Sequence, residues 1–511
     1  MKKTEKISVL ISIVLISLIA IGAVSAADDT AATDDADLAA VDEVQTVDSN
    51  QIDDDVSYKS EDIVVTSTGD SSDDDVAAAD NTKDSALGAN DLTAGEKTFT
   101  DLNNDISTAQ NGIVMLQNDY KYDSSDSAYQ NGIDLSGTLT IIGGGHTIDG
   151  NDVARIFNIA QGANIVFVNL KLTNAANSAI YNEGTAILSG SDITSSAADK
   201  GAAIYNTATG SVDASNCKFN DNTAVYRGGA IYSEGTVKVT DSTIDSNNVT
   251  YRTANDDNGG AAIYNKGGTL ELDNVQVTNN LLDIVIREGN AGDLINAAIF
   301  TSGVTTISNS NFYKNGGSWG GAIYGNGDAD ITVTGTSFSE NFATFGAAIY
   351  AEGAKLTVDN CVFNDNKCVG VGSPGTESTQ GAAILGMAGS KVTITDSSFS
   401  KNIANLGGAI SLAGVGDSTI SGCTFTENEA DGGAAVYAWT PEDAGITVTD
   451  STFTENTAAY GAAITFVGVG NSLIDGCTFT DNEATSEGGA IYSDTQEGAT
   501  VTVSTTPLTE T

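Results

Sequence analysis

Apolar and polar residues alternate over short stretches of this chain, as in Val237-Lys-Val-Thr and Ile446-Thr-Val-Thr. A period of two marks a strand with one buried face. A second signal is an aromatic or aliphatic residue followed three positions later by asparagine. It joins Phe219 to Asn222, Ile244 to Asn247, Val277 to Asn280, Phe312 to Asn315 and Phe338 to Asn341. It continues with Phe363 and Asn366, Phe399 and Asn402, Phe425 and Asn428, Phe453 and Asn456, and Phe479 and Asn482. A third is Gly-Gly-Ala-Ile or Gly-Ala-Ala-Ile, with its aliphatic at Ile204, Ile231, Ile263, Ile323, Ile349, Ile384, Ile410, Val436, Ile464 and Ile491, and looser copies at Ile180 and Ile299. The three signals return together about every 26 residues, the mark of a solenoid.

Three short strands per repeat, separated by glycines and Asn/Asp pairs that accept positive φ, make one coil of a parallel β-helix. Roughly thirteen or fourteen coils at strand spacing give a rod on the order of 65 Å long. The Phe and Ile positions stack from coil to coil inside. The asparagines Asn222, Asn247, Asn280, Asn315, Asn341, Asn366, Asn402, Asn428, Asn456 and Asn482 form an amide ladder, each bonding to the next coil. Phe99, Leu102 and Ile106 have helical spacing, which predicts a short N-terminal helix capping the solenoid. After Val503 no further Phe-x-x-Asn phrase follows, so the last coil is expected to be incomplete, with end-to-end self-association through it as one partner mode.

Ahead of the repeats the composition changes twice. Residues 1–26 hold three early lysines, an apolar run from Ile7 to Val24 and Val24-Ser25-Ala26, which reads as a secretory signal peptide; a retained N-terminal anchor is the alternative. Residues 27–95 are acidic and poor in large apolar residues, the composition of a disordered linker. Residues 96–511 are then the β-helix. The chain carries 68 Asp plus Glu against 21 Lys plus Arg, a formal charge of −47, which argues against binding nucleic acid. The expected location is secreted or at the cell surface.

Candidate chemistry is sparse. The one histidine, His146, sits in Gly145-His-Thr-Ile-Asp149, read as a coil-opening turn. Asp241, Asp273, Asp396 and Asp450 precede Phe-type strands once per coil, which fits turn chemistry better than an active site. Gly325-Asn-Gly-Asp-Ala-Asp330 and the pair Asp256 and Asp257 offer at most adventitious Ca²⁺; no cofactor or metal site is expected. Cys217, Cys361, Cys423 and Cys477 lie two residues before their strand's aromatic and face inward with it. Cys368 is out of register, with a Cys361–Cys368 bridge as one alternative. The stretches Thr250–Asn258, Asn280–Gly292 and Cys368–Gln380 lengthen three repeats and read as loops. Asn248-Val-Thr250 is the sole N-glycosylation sequon. Next to the inward Ile column runs Tyr181, Tyr205, Tyr232, Tyr264, Phe300, Tyr324 and Tyr350. Alternation points this row outward. It is the candidate ligand-binding face for a glycan or protein, with Trp319 and Trp439 beside it; structural cross-strand stacking is the competing reading.

The paired phrases Phe-x-x-Asn and Gly-Gly-Ala-Ile resemble the repeats of chlamydial polymorphic outer membrane proteins. The layout from Phe99 to Val503, with Gly145-His-Thr-Ile-Asp-Gly150 before the repeats, resembles adhesin-like proteins of methanogenic archaea. The resemblance implies a right-handed parallel β-helix at the cell surface with a role in attachment and without catalytic residues. Pectin lyases and polygalacturonases share the fold, so a polysaccharide lyase or hydrolase is the alternative function, and a passive envelope component a third.

Overall fold

A computed structural model describes residues 95–250, 259–282, 297–369, 379–440, 444–495, 498–504 and 508–509. The signal peptide, nearly all of the acidic linker, Asp256 with Asp257, and most of the three long insertions lie outside the described residues.

Alternation becomes a right-handed parallel β-helix of about 14 turns. Three long sheets run its length. The first has 15 strands, from Ile113–Met115 to Val501–Ser504; the second has 15, from Tyr120–Lys121 to Leu508–Thr509; the third has 14, from Ile133–Leu135 to Ile491–Asp494. Every strand pairs in parallel with its counterparts one coil away, as Thr236–Thr240 does with Ser211–Ser215 and Thr269–Asp273. In the second sheet the inward residue is the Phe of each repeat, or an aliphatic such as Ile193, Ile244 or Val277. Phe338, Phe363 and Phe399 are fully buried, with ring centroids 4.8 Å apart and nearly parallel, stacked rings at each step. The stacking distance equals the strand spacing, so one aromatic per coil fills this side of the interior without a gap.

The corner after the second sheet is sharp. The residue before each ladder asparagine takes positive φ, and none is glycine: Asp221 (φ 56), Lys314 (φ 54), Glu340 (φ 53), Lys401 (φ 55) and Glu427 (φ 53) are examples. A left-handed conformation costs such residues roughly 1–2 kcal/mol, so something at the corner must offset it. Asp241, Asp396 and Asp450 also sit at positive φ, between first and second sheets, as turn residues. Asp273 instead ends its strand and accepts from Ser308 Oγ (2.7 Å) and Asn309 Nδ2 (2.8 Å) of the next coil.

A fourth layer was not foreseen. After each asparagine the chain runs as a strap outside the third sheet, for example Thr223–Arg227, Asn248–Val249 and Thr457–Tyr460. Straps pair with one another from coil to coil, as Ala224 with Val249 and Ala458 with Ala484. Asn248 of the sequon therefore lies half-buried in a strap strand.

The N-terminal helix forms over Phe99–Ser107 and buries Phe99 and Leu102 on the first coil. Thr98 and Asp101 close a capping box. The buried Asp126 carboxylate, on the 3₁₀ turn Ser124–Tyr129, accepts from Phe99 N (3.0 Å), Thr100 N (2.9 Å) and Thr100 Oγ1 (2.6 Å). It supplies negative charge at the helix's positive end and ties cap to coil. At the other end, the expectation that the second-sheet phrase never returns is corrected in part. Leu508 pairs with Phe479, so a strand arrives there with leucine in place of phenylalanine.

Asp126→Ala orphans two helix N–H groups and is expected to destabilise the cap by about 1–3 kcal/mol, read as faster amide exchange over 99–107. Acid acts on the same region. The Tyr120 hydroxyl (2.7 Å) holds Asp105 below the usual carboxylate range, and the Thr147 amide, with His146 behind it, does so for Asp119. A lowered folded-state value contributes stability that is complete above the ordinary value near 4 and is lost as pH falls through the lowered one. Exchange over 99–147 should therefore accelerate below about pH 4.

Candidate functional site

The asparagine column uses its whole hydrogen-bonding capacity. Asn366 Oδ1 accepts from both Asn341 Nδ2 (3.0 Å) and Asn341 N (3.1 Å), while Asn366 Nδ2 donates to Asn402 Oδ1 (3.0 Å) and to the Phe338 carbonyl (3.0 Å). The amide link runs unbroken from Asn222 through Asn247, Asn280, Asn315, Asn341, Asn366, Asn402, Asn428 and Asn456 to Asn482, at 2.9–3.1 Å per step. Only Asn482 is not fully buried. Two further polar columns lie inside. Ser242, Ser397 and Ser451 accept the backbone N–H of Cys217, Cys361 and Cys423 at 2.9–3.1 Å. At the corner leaving the third sheet, Asn182 Nδ2 donates to Asn206 Oδ1 (2.8 Å) and Asn206 Nδ2 to Ser233 Oγ (3.0 Å). The sequence signal for both was the recurrence of Ser/Cys two before the aromatic and of Asn or Ser two after the third-sheet aliphatic.

The aromatic row stands in register, Tyr205 pairing with Tyr181 and Tyr232, and Tyr232 with Tyr264. Its predicted exposure is corrected. Tyr232, Tyr264, Phe300, Tyr324 and Tyr350 are buried, and Tyr181 and Tyr205 half-buried. The rings do point away from the interior, but the straps cover them. Arg227, at the end of a strap, lies 5.3 Å from the Tyr264 ring; Lys200 lies 5.3 Å from Tyr232; Trp319 packs edge-on to Tyr324 and Tyr350 at 5.9 Å. The faces are also spent on one another: centroids are 5.2 Å apart for Tyr181–Tyr205, 4.9 Å for Tyr205–Tyr232 and 4.3 Å for Tyr264–Phe300. The guanidinium of Arg155, 5.0 Å away, stacks on Tyr181. No ring face is left for a sugar at these positions. The hydroxyls are tied as well, Tyr232 to Glu234 (2.7 Å) and Tyr324 to Glu352; burial and the neighbouring carboxylate push both phenols well above their ordinary range. Trp439 is half-buried at the end of a third-sheet strand.

All five cysteines are free, which excludes the Cys361–Cys368 bridge. Cys217, Cys361 and Cys423 are buried, and burial pushes their thiols up to about 11. His146 Nδ1 lies 3.0 Å from Asp119, whose oxygen also accepts from Thr147 N (2.9 Å); histidine and carboxylate brace the coil-opening turn. In the calcium-like phrase, Asp330 pairs with Lys355 (3.1 Å) and Asn326 Nδ2 with the Tyr324 hydroxyl (2.7 Å). Among the described residues no three His, Cys, Asp or Glu side chains converge on a point that would hold a metal ion, and no helix is long and apolar enough to cross a membrane.

Two family descriptions match parts of the chain. Residues 375–505 match "Right handed beta helix region", and residues 216–234 match the Chlamydia polymorphic membrane protein repeat. The second stretch contains Phe219, Asn222 and Gly228 to Tyr232. The repeats resemble those of chlamydial polymorphic membrane proteins. No curated protein matches the chain. Among solved structures, the catalytic domain of a GH87 α-1,3-glucanase in complex with nigerose is 11% identical, covering 81% of this chain and 67% of its own, with a TM-score of 0.26. At that score the likeness carries no argument about activity.

Asn366→Ala, in the middle of the polymorphic-membrane-type ladder, orphans groups on both sides and is expected to cost at least about 2 kcal/mol, and Asn482→Ala clearly less; thermal unfolding of each variant checks the order. Cys217, Cys361 and Cys423 should resist a thiol reagent at pH 8 in the folded protein and react once denaturant opens the coils. Tyr324→Ser should lower the melting temperature, as loss of a large buried side chain does.

Proposed function

We propose that this chain is an exported, non-catalytic, adhesin-like surface protein. It is a rigid β-helical rod that presents its outer faces to a glycan or protein on another cell or envelope. The observation that carries the reading is the repeat itself: a polymorphic-membrane-type phrase wound into coils whose inward chemistry is consumed by stacking and ladders, leaving only outer faces and corners for recognition. The three long insertions support it by their place in the chain. Residues 251–258, 283–296 and 370–378 all fall, in sequence, between a strap and the following Gly-Ala-Ala-Ile or Asn-Ala-Ala-Ile phrase. Insertions at a shared point of a repeat commonly bear specificity. The charge of −47 supports partners other than nucleic acid.

Purified protein from Gly95 onward should sediment with intact cells of at least one type, and the binding should survive high salt. Absence of binding to every cell type, the producer's own included, would reduce the reading to a passive envelope rod. Incubation with neutral and acidic polysaccharides, with and without Ca²⁺, is expected to release no product; release would move the assignment to a polysaccharide-active enzyme.

A further inference from the structure

We propose that the outer face of the first sheet binds an uncharged polysaccharide laid along the rod, on the column Thr306, Thr332, Thr357, Thr393, Thr419 and Thr447. This rests on the glycan-binding form of the surface reading and adds the ligand class and the site. The six threonines are Cα partners on six successive coils. At strand spacing they form a straight row roughly 24 Å long.

Their hydroxyls stand apart from the other side chains of the sheet. Two residues further along most of these strands, the side chains are already paired between coils: Ser308 with Asp273 (2.7 Å), Thr395 with Asp359, Thr449 with Ser421 (2.9 Å). Among the described residues, none of the six threonine hydroxyls of the central column is hydrogen-bonded to another protein group. Five of the six are half-buried between their neighbours, Thr306 being exposed, and β-branching holds χ1. The row is thus a pre-ordered series of donors and acceptors, each beside a methyl group, and little rotamer freedom remains to be lost on binding.

Charge selects among polymers. The column is neutral over six coils and ends at Glu271 on one side and Leu473 on the other, within a chain of −47. The flanking acids are engaged, Glu271 by Lys238, Asp330 by Lys355 (3.1 Å) and Asp359 by the Thr395 hydroxyl. An acidic polymer meets the field of a strongly acidic chain, offset beside the row by Lys355 and Lys391, and a basic one finds no carboxylate in the row. A neutral pyranose chain, with hydroxyls at its rim and C–H groups on its faces, matches what each coil offers. Repetition along the row lets individually weak contacts add.

The test is retention of the full chain on insoluble cellulose, β-1,3-glucan and chitin, with pectin as the acidic contrast, at low and high salt. A variant with Thr332, Thr357, Thr393 and Thr419 all changed to Val keeps branching and strand propensity and removes only hydroxyls. Thr357→Arg blocks the row by a different means, and Thr424→Val with Thr452→Val alters the second sheet's face as a control. Expected is salt-insensitive retention on a neutral polymer, lowered about tenfold or more in the quadruple and Arg variants, with unchanged melting and an unaffected control. The site is overturned by equal retention of wild type and quadruple variant, by preference for pectin, by no retention on any polymer, or by a wild-type dimer that the quadruple variant loses. Cell sedimentation separates the two readings. Equal sedimentation of wild type and quadruple variant would leave the surface role standing and remove this site. Polysaccharide held through the threonines without any cell binding would do the reverse.

Discussion

The corner after the second sheet is where this solenoid is hardest to build. The backbone must turn sharply through a left-handed residue, and most coils place Asp, Glu or Lys there. What makes the turn tenable is the asparagine that follows. Its amide takes the place of backbone partners the corner has removed, accepting twice from the coil before and donating both to that coil's Phe-type carbonyl and to the coil after. The interaction is cooperative in a simple sense, because each amide is fully paired only when both neighbours are present.

Once the corner is fixed, the rest of the cross-section follows. The Phe three residues earlier falls into register with its counterparts and stacks at the strand spacing. The chain leaving the corner is directed outward as a strap, since the inside is already filled. The strap seals the outer side of the third sheet and turns a row of tyrosines into a second, buried stack, pinned by Arg and Lys side chains over the rings. The solenoid therefore has two aromatic spines, one inside the sheets and one between a sheet and its cover. The faces left to solvent are the outer sides of the first and second sheets.

Much of this was legible from spacing. The Phe and Ile columns, the amide ladder, the capping helix and the coil number all follow from which residues recur and at what interval. Burial of the tyrosines did not, for a definite reason. Alternation states on which side of a strand Tyr232 lies, but it is silent on whether another layer lies beyond. The covering straps are two to five residues long and marked mainly by small buried residues such as Ala224, Ala343 and Ala458, too few to show a period. Leu508 escaped the pattern because it has no asparagine three residues later, although Leu172 fills the same column. The threonine row was hidden by its ordinariness: Ile446-Thr-Val-Thr was read for its apolar half.

The one-way pattern of the amide ladder has an evolutionary corollary. From Asn341 to Asn456 each coil presents the same acceptor to the coil before it and the same donor to the coil after it. A whole unit copied or removed by unequal recombination within this stretch would leave the amide ladder unbroken across the new junction. Gene length in this region thus translates into reach in fixed increments of one coil, about 4.8 Å each. Lineages can lengthen or shorten the rod without redesigning its interior.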